Sequence, residues 1–297
     1  MHWWQMREFF NTAEVADYLR IKERTVYELV RTKRIPCSRA AGKLLFPRAM
    51  IDEWVTRQAE FAGPSLRPAP PVAAGSHDPL LEWALRESGC ELAMFACGSG
   101  EGLKRLESNK AVLAGIHLLD PASGEYNLPA LRALGGLSDA VLIEWAKREQ
   151  GLVTAPGNPK RIRSVSDLAK DGIRVLRRQE GAGAQILLRH LLAEAGLRLE
   201  NLPGPASPAL TETDIATSII EGKADAGIAV RAVAKRNNLG FVPLRWERFD
   251  LAMRRRNYFE LAVQKLMGFA ASSVCRDKAA ELGGYDLGRC GAVNYNA

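Results

Sequence analysis

The chain has 297 residues, of which 47% are hydrophobic and 25% charged, with a formal net charge of +7. That length is enough for two ordinary domains with buried cores, and no apolar run is long enough to span a bilayer. The opening MHWWQMREFF lacks the basic start, apolar middle and small-residue cleavage site of an export signal, so a cytoplasmic location is expected, without a membrane partner. Five scattered cysteines without a C-x-x-C pair exclude a disulfide framework and are expected to be reduced and mostly buried.

The first elements form a compact group. Val15, Ala16 and Leu19 fall at helical spacing after Thr12, a residue able to cap a helix start, and Ile21 sits in the turn that follows. A second helix carries Val26, Leu29 and Val30 inward and leaves Arg24, Thr25, Tyr27, Glu28 and Arg31 outside. IPCSRAAGKLLF then reads as a hairpin turning near Gly42. Pro47 is expected to open a third helix in which Ile51, Trp54 and Val55 pack back. Between Arg20 and Lys43 there are eight basic residues and only two acidic ones, Glu23 and Glu28, which is a local footprint for a polyanion.

These elements, TAEVADYL, RTVYELV, RIP and GKLLF, resemble the excisionase or MerR-like winged helix-turn-helix family, although Lys22 stands where a helix-capping Ser is expected. The resemblance implies that double-stranded DNA is a partner. The second helix would enter the major groove, where Arg can bond a guanine edge, with Lys22, Arg24, Thr25, Tyr27 and Arg31 as the reading set. Ser38, Arg39 and Lys43 on the wing would hold phosphates.

After this unit (1–60), the stretch FAGPSLRPAPPVAAG (61–75) has no helical or strand period and reads as a Pro/Ala-rich linker. From 76 to 297, short apolar runs alternate with helical segments, the pattern of parallel sheet covered by helices. Ser76 in GSHDPLLEWAL and Gly98, Ser99 and Gly100 in CGSGEGLKRLE precede helix starts, whose free N–H groups attract acceptor atoms. Taken singly, each serine is explained by helix capping; their convergence points to a site. GAGAQ (Gly181, Ala182, Gly183, Ala184, Gln185) opens a further helix but lacks the lysine of a phosphate-cradling nucleotide loop.

The strings SHDPLLEWAL, CGSGEGLKRLE, AGIHLLDPASGEYNLP, REQGLVTAPGNP, RRQEGAGAQILL, EGKADAGIAV and FVPLRWERFDL resemble the periplasmic-binding-protein-like domains of the molybdate and tungstate type. The resemblance implies an α/β fold of two lobes joined by two chain crossings, the type II arrangement. A small oxyanion or another small polar effector would lie in the cleft, touching Ser76, Gly98, Ser99, His117, Tyr126, Gln179, Gly181, Ala182, Gly183 and Asp214. The chain departs from that family where GAGAQ replaces GSGTR and where Asp214 replaces a histidine; both changes work against an anion, so a neutral, singly charged or cationic ligand stays open.

Catalysis finds no support in the sequence: there is no nucleophile elbow, no H-E-x-x-H, and no metal-ligand spacing among His2, His77, His117 and His190. The expectation is therefore a one-component transcriptional regulator, a homodimer or higher homo-oligomer, that needs no cofactor. The alternative is a cytoplasmic molybdate or tungstate carrier, or a protein of molybdenum-cofactor synthesis, without direct gene regulation.

Overall fold

A computed structural model describes residues 8–40, 42–58 and 68–297. The chain divides into two compact units, Met1–Ser65 and Leu66–Ala297.

The first unit holds strand β1 (Phe9–Phe10), helices α1 (Thr12–Tyr18) and α2 (Glu23–Arg31), strands β2 (Ser38–Ala40) and β3 (Lys43–Pro47), and helix α3 (Arg48–Arg57). The strands lie in the order β1-β3-β2. Asn11, not Thr12, caps α1, in a reciprocal box with Glu14. Lys22 stands at the N-cap of α2 and makes no side-chain capping bond. Phe10, Val15, Val26, Ile35, Phe46 and Ile51 form the core, with Trp54 packed against it and its indole N–H bonded to the Arg34 carbonyl at 2.6 Å. Val55, expected to pack inward, is exposed, and Pro47 ends β3 instead of opening α3. The helix stripe is narrower than the spacing of apolar residues implied.

In the second unit, β4 (Val72–Gly75), β5 (Ala93–Ala96) and β6 (Leu113–Ile116) are parallel neighbours in the order β5-β4-β6, covered by α4 (Pro79–Glu87) and α5 (Ser99–Glu107). The stretch expected as linker thus ends in a sheet strand; its first part, 61–67, lies outside the described residues. The small residues of VAAG, read as linker composition, are small because the backbones crowd. A β-carbon on Gly75, which has φ +109, would sit 2.3 Å from the Gly115 carbonyl oxygen.

A short helix α6 (Leu128–Arg132) leads to β7 (Ala140–Thr154), which pairs antiparallel with β10 (Gly240–Arg254) along nearly its whole length. These two strands run through both lobes. One end of the pair carries β6, β11 (Tyr285–Asp286) and β12 (Val293–Asn296). The other end carries β9 (Ala226–Val230), which pairs parallel with β8 (Val175–Leu176). Helices α7 (Gly183–Glu194), α8 (Glu212–Ile220) and α9 (Arg231–Arg236) cover the second lobe. Helices α10 (Arg255–Tyr258), α11 (Leu261–Ala270) and α12 (Ser273–Leu282) return to the first, where Val263, Leu266 and Cys275 join its core. Where parallel pairing was expected throughout, the sheet is mixed, because the crossing strands run antiparallel.

No described helix is long and apolar enough to cross a membrane. All five cysteines are free; Cys90 and Cys275 are buried and the other three half-buried.

Candidate functional site: a helix-turn-helix face and a buried interlobe cluster

In the first unit, Lys22, Arg24, Thr25, Tyr27 and Arg31 are all exposed on or beside α2, and Ser38, Arg39 and Lys43 are exposed on the β2–β3 hairpin. Gly42 turns that hairpin with φ +75 and open space around its α-carbon. Arg31 is paired with Glu28 on the same helix, so its guanidinium is partly neutralised unless a stronger anion draws it away. Tyr27, 53% exposed, contributes nothing to the core and presents an aromatic surface between the charges.

The second unit's site begins at the C-terminal ends of β4 and β6 and the N-terminus of α5. Ser76, Ser99 and His117 are all buried. Ser76 Oγ lies 2.9 Å from Ser99 Oγ and 3.0 Å from His117 Nε2, and the His117 backbone N–H donates to Ser99 Oγ at 3.1 Å. On its other side, His117 Nδ1 lies 2.8 Å from Glu247 Oε2, and its ring stacks on Phe249 at 5.8 Å between centroids.

Glu247 leads into the crossing strands. It stands opposite Arg148 in the β10–β7 register, and Arg148 donates to it from Nε at 3.0 Å and also from Nη2. Arg148 Nη1 donates to Asp78 Oδ2 at 3.0 Å. Asp78 is also the N-cap of α4, accepting from the Leu81 amide, the Trp145 indole and the Tyr285 hydroxyl. Gln150 Nε2 bridges Glu247 (3.0 Å) and Glu212 (3.3 Å), and Glu212 accepts from the Val230 amide at 2.9 Å. One connected network therefore reaches from α4 in the first lobe to α8 and β9 in the second.

Charge decides how this network behaves. Burial alone would raise the Glu247 carboxyl, but its interactions with His117 and Arg148, including hydrogen bonds from His117 and Gln150, outweigh it and hold the pKa at about 2. Burial also opposes the Arg148 charge, yet Glu247 and Asp78 keep it protonated. The Tyr126 hydroxyl is raised by burial and by the Glu247 charge, and its oxygen has no hydrogen-bond partner in the structure. The Gln150 Oε1 is likewise buried and unpartnered.

The second lobe meets this cluster through the loop before α7. The Gly100 amide approaches the Gly181 carbonyl at 3.4 Å, and a β-carbon on Gly98 would lie 3.3 Å from Gln179 Nε2. Ala182 is the N-cap of α7 and supplies no side-chain cap. Gly183 lies flat against His117. Gln185, standing where the resembling family has arginine, turns inward and accepts from the Arg178 amide at 2.9 Å. Arg178 is buried, its guanidinium bonded to the Ala209 and Leu210 carbonyls. Burial lowers its pKa, against the Glu212 and Asp214 charges.

The structure thus brings together Ser76, Gly98, Ser99, His117, Gln179, Gly181, Ala182 and Gly183. Tyr126 stands close enough to feel Glu247. The Asp214 carboxylate is taken up in capping α8, accepting from the Leu210 and Thr211 amides at 3.0 and 2.8 Å, and its charge acts on Arg178. The buried carboxylate of that helix is Glu212, two residues earlier. Sequence reasoning missed Glu212, Asp78, Arg148, Gln150 and Glu247. Among the described residues, no group of three or more His, Cys, Asp or Glu side chains is arranged to hold a metal ion.

Comparison with known proteins agrees with this anatomy. Residues 82–271 match the PBP superfamily domain and residues 9–59 a helix-turn-helix domain of the excisionase-like kind. The chain belongs to the PBP superfamily, and it carries a helix-turn-helix domain ahead of that fold. It is 26% identical over 303 residues to the uncharacterized protein YvgK of Bacillus subtilis, across 96% of this chain and 97% of that one. It is 33% identical over 96 residues to the molybdate-binding protein ModA of Mycobacterium tuberculosis, which covers 32% of this chain and 35% of ModA. Among solved structures, a putative phosphate ABC transporter substrate-binding protein with bound phosphate, from Clostridium perfringens, superposes with a TM-score of 0.53 at 14% identity, covering 71% of this chain and 96% of that one. L-phospholactate-bound PEB3 gives 0.50 at 15% identity, over 72% and 98%. Both likenesses are of fold.

Proposed function

We propose that the chain is a cytoplasmic one-component transcriptional regulator. Its N-terminal unit binds operator DNA through α2 and the β2–β3 wing, and its PBP unit senses a small ligand between the lobes, with Ser76, Ser99 and His117 as the principal contacts. The observation that carries the reading is the placement of two polar sets in one chain. Arg24, Thr25, Tyr27, Arg39 and Lys43 are exposed without a role in the first core, whereas Ser76, Ser99 and His117 are buried at the mouth of a helix N-terminus in the second unit. The first set suits a polyanionic duplex and the second a small acceptor.

A small oxyanion is the ligand class this reading favours, supported by the matched segment of a molybdate-binding relative and by hydroxyl and helix N–H donors, which need no formal charge to hold an anion. A homodimer is the working assembly, because paired half-sites match two-fold symmetry and one small winged unit covers little DNA.

Selection of duplexes from a random-sequence pool, followed by fluorescence anisotropy in a salt series, tests the DNA half. The reading expects an enriched sequence whose affinity falls steeply with salt and weakens by about 1–3 kcal/mol in Arg24→Ala. Recovery of no sequence, with no salt-dependent duplex binding, would favour the carrier without gene regulation.

A further inference from the structure

We infer that His117 sets which ligand charge the cleft accepts: an oxyanion enters only together with a proton on His117 Nε2. The inference rests on the reading of the cleft as the ligand site and follows from counting hydrogens around Ser76 and Ser99.

Glu247 is ionised and can only accept, so the hydrogen on its 2.8 Å contact belongs to His117 Nδ1. In the neutral ring Nε2 is then bare, and the 3.0 Å contact must be Ser76 donating to it. Ser76 has one hydroxyl hydrogen, now used, so Ser99 donates across the 2.9 Å contact between the two oxygens. Ser99 in turn accepts the His117 backbone N–H. Every hydroxyl hydrogen is thereby committed within the protein. What the two serines still offer a ligand are lone pairs, which repel an oxyanion and suit a donor such as an amine.

Protonation of Nε2 reverses the chain. The ring becomes the donor to Ser76, and one of the two hydroxyl hydrogens is released into the cleft at the N-terminus of α5. The charge balance favours the same coupling. The titratable and charged groups beside His117 or joined to its network are Glu247, Arg248 and Asp250 from β10, Arg148 from β7, Asp78 from the β4–α4 turn, Glu212 from α8, Arg178 from the segment before α7, and Tyr126. Helix α5 supplies Ser99 at the His117 backbone N–H, and α7 supplies Gly183 beside the ring. A proton taken up by His117 offsets part of the charge that the anion brings.

Titration calorimetry of the full chain with sulfate and with molybdate tests this, since neither dianion takes up a proton of its own between about pH 6 and about pH 9. Measured at about pH 8 in two buffers of different ionisation enthalpy, binding is expected to take up one proton, so that affinity falls as pH rises. His117→Gln should abolish the proton uptake and flatten the pH profile. In the unaltered protein, the ring carbon signals of His117 should shift to imidazolium values on adding anion, a readout that survives if the variant does not fold. Ser99→Ala separates the two readings. Anion binding that depends on Ser99 but takes up no proton overturns the role of His117 alone. Binding indifferent to Ser99 removes the cleft assignment with it, and failure of both anions to bind at about pH 6 overturns the inference, because the protonated site must then offer its donor.

Discussion

Arg148 and Glu247 face each other across β7 and β10 at the middle of the only strand pair, among the described residues, that runs through both lobes, and neither side chain reaches solvent. A buried ion pair of this kind is weak evidence of net stability, but breaking it leaves a charge with nowhere to go. Arg148→Met would strand Asp78 and Glu247 together. The expected cost is about 3–5 kcal/mol in urea unfolding. The double variant Arg148→Met, Glu247→Gln should cost less than the sum of the two single variants, by about 1–3 kcal/mol. Strict additivity would show that the pair does not interact as the geometry requires.

Acid stability follows from the same residue. The Glu247 pKa lies below its ordinary value of 4.5, at about 2, so its contribution is fully present above about pH 4.5 and is lost as pH falls toward about 2. Asp250 has the opposite sign: burial, against Arg248, Asn127 and Asn294, raises its pKa, so its contribution is present at low pH and fades as pH rises through the folded value. Unfolding free energy measured between those limits should slope upward with pH. Glu247→Gln should flatten that slope by on the order of a few kcal/mol across the window; an unchanged slope would mean that the carboxylate is not held ionised.

The helix-turn-helix was legible because its signals are local: helical spacing, a glycine turn and a cluster of basic residues lie within a few dozen positions. The two serines were legible because Ser99 opens α5 and Ser76 lies two residues before the N-cap of α4. The ionic network was not. VLIEWAKREQGLV looks like two apolar runs, DAVLIEWA and QGLVTA, parted by a charged break. The fold makes it one strand, with Lys147 outward and Arg148 and Gln150 buried where the lobes meet. Only the β10 register, which brings Glu247 opposite Arg148 from far along the chain, turns that break into a site. Asp214 drew attention through the family pattern, yet Thr211 three residues before it marks a capping box, and that local signal prevails.

Gly183 controls how closely the lobes meet. A β-carbon there would sit 2.4 Å from the His117 carbonyl oxygen and 2.7 Å from its ring, both fixed by neighbours. Gly183→Ala is expected to cost about 1–3 kcal/mol, by overpacking or by holding the lobes apart. Gly268→Ala, on α11 with open space around it, should be neutral or slightly stabilising. Thermal unfolding of the two variants side by side decides the point; equal melting temperatures would place the lobe contact elsewhere.

The central claim is that the cleft of the PBP unit governs DNA affinity, and anisotropy on a selected duplex, with and without saturating oxyanion, tests it most directly. Linkage requires the ligand to shift duplex affinity, by about fivefold or more for an ordinary allosteric coupling, and requires Ser99→Ala to remove that shift while leaving ligand-free duplex binding intact. Duplex affinity that stays the same under saturating ligand, in a protein shown by calorimetry to have bound it through Ser99, would contradict the account.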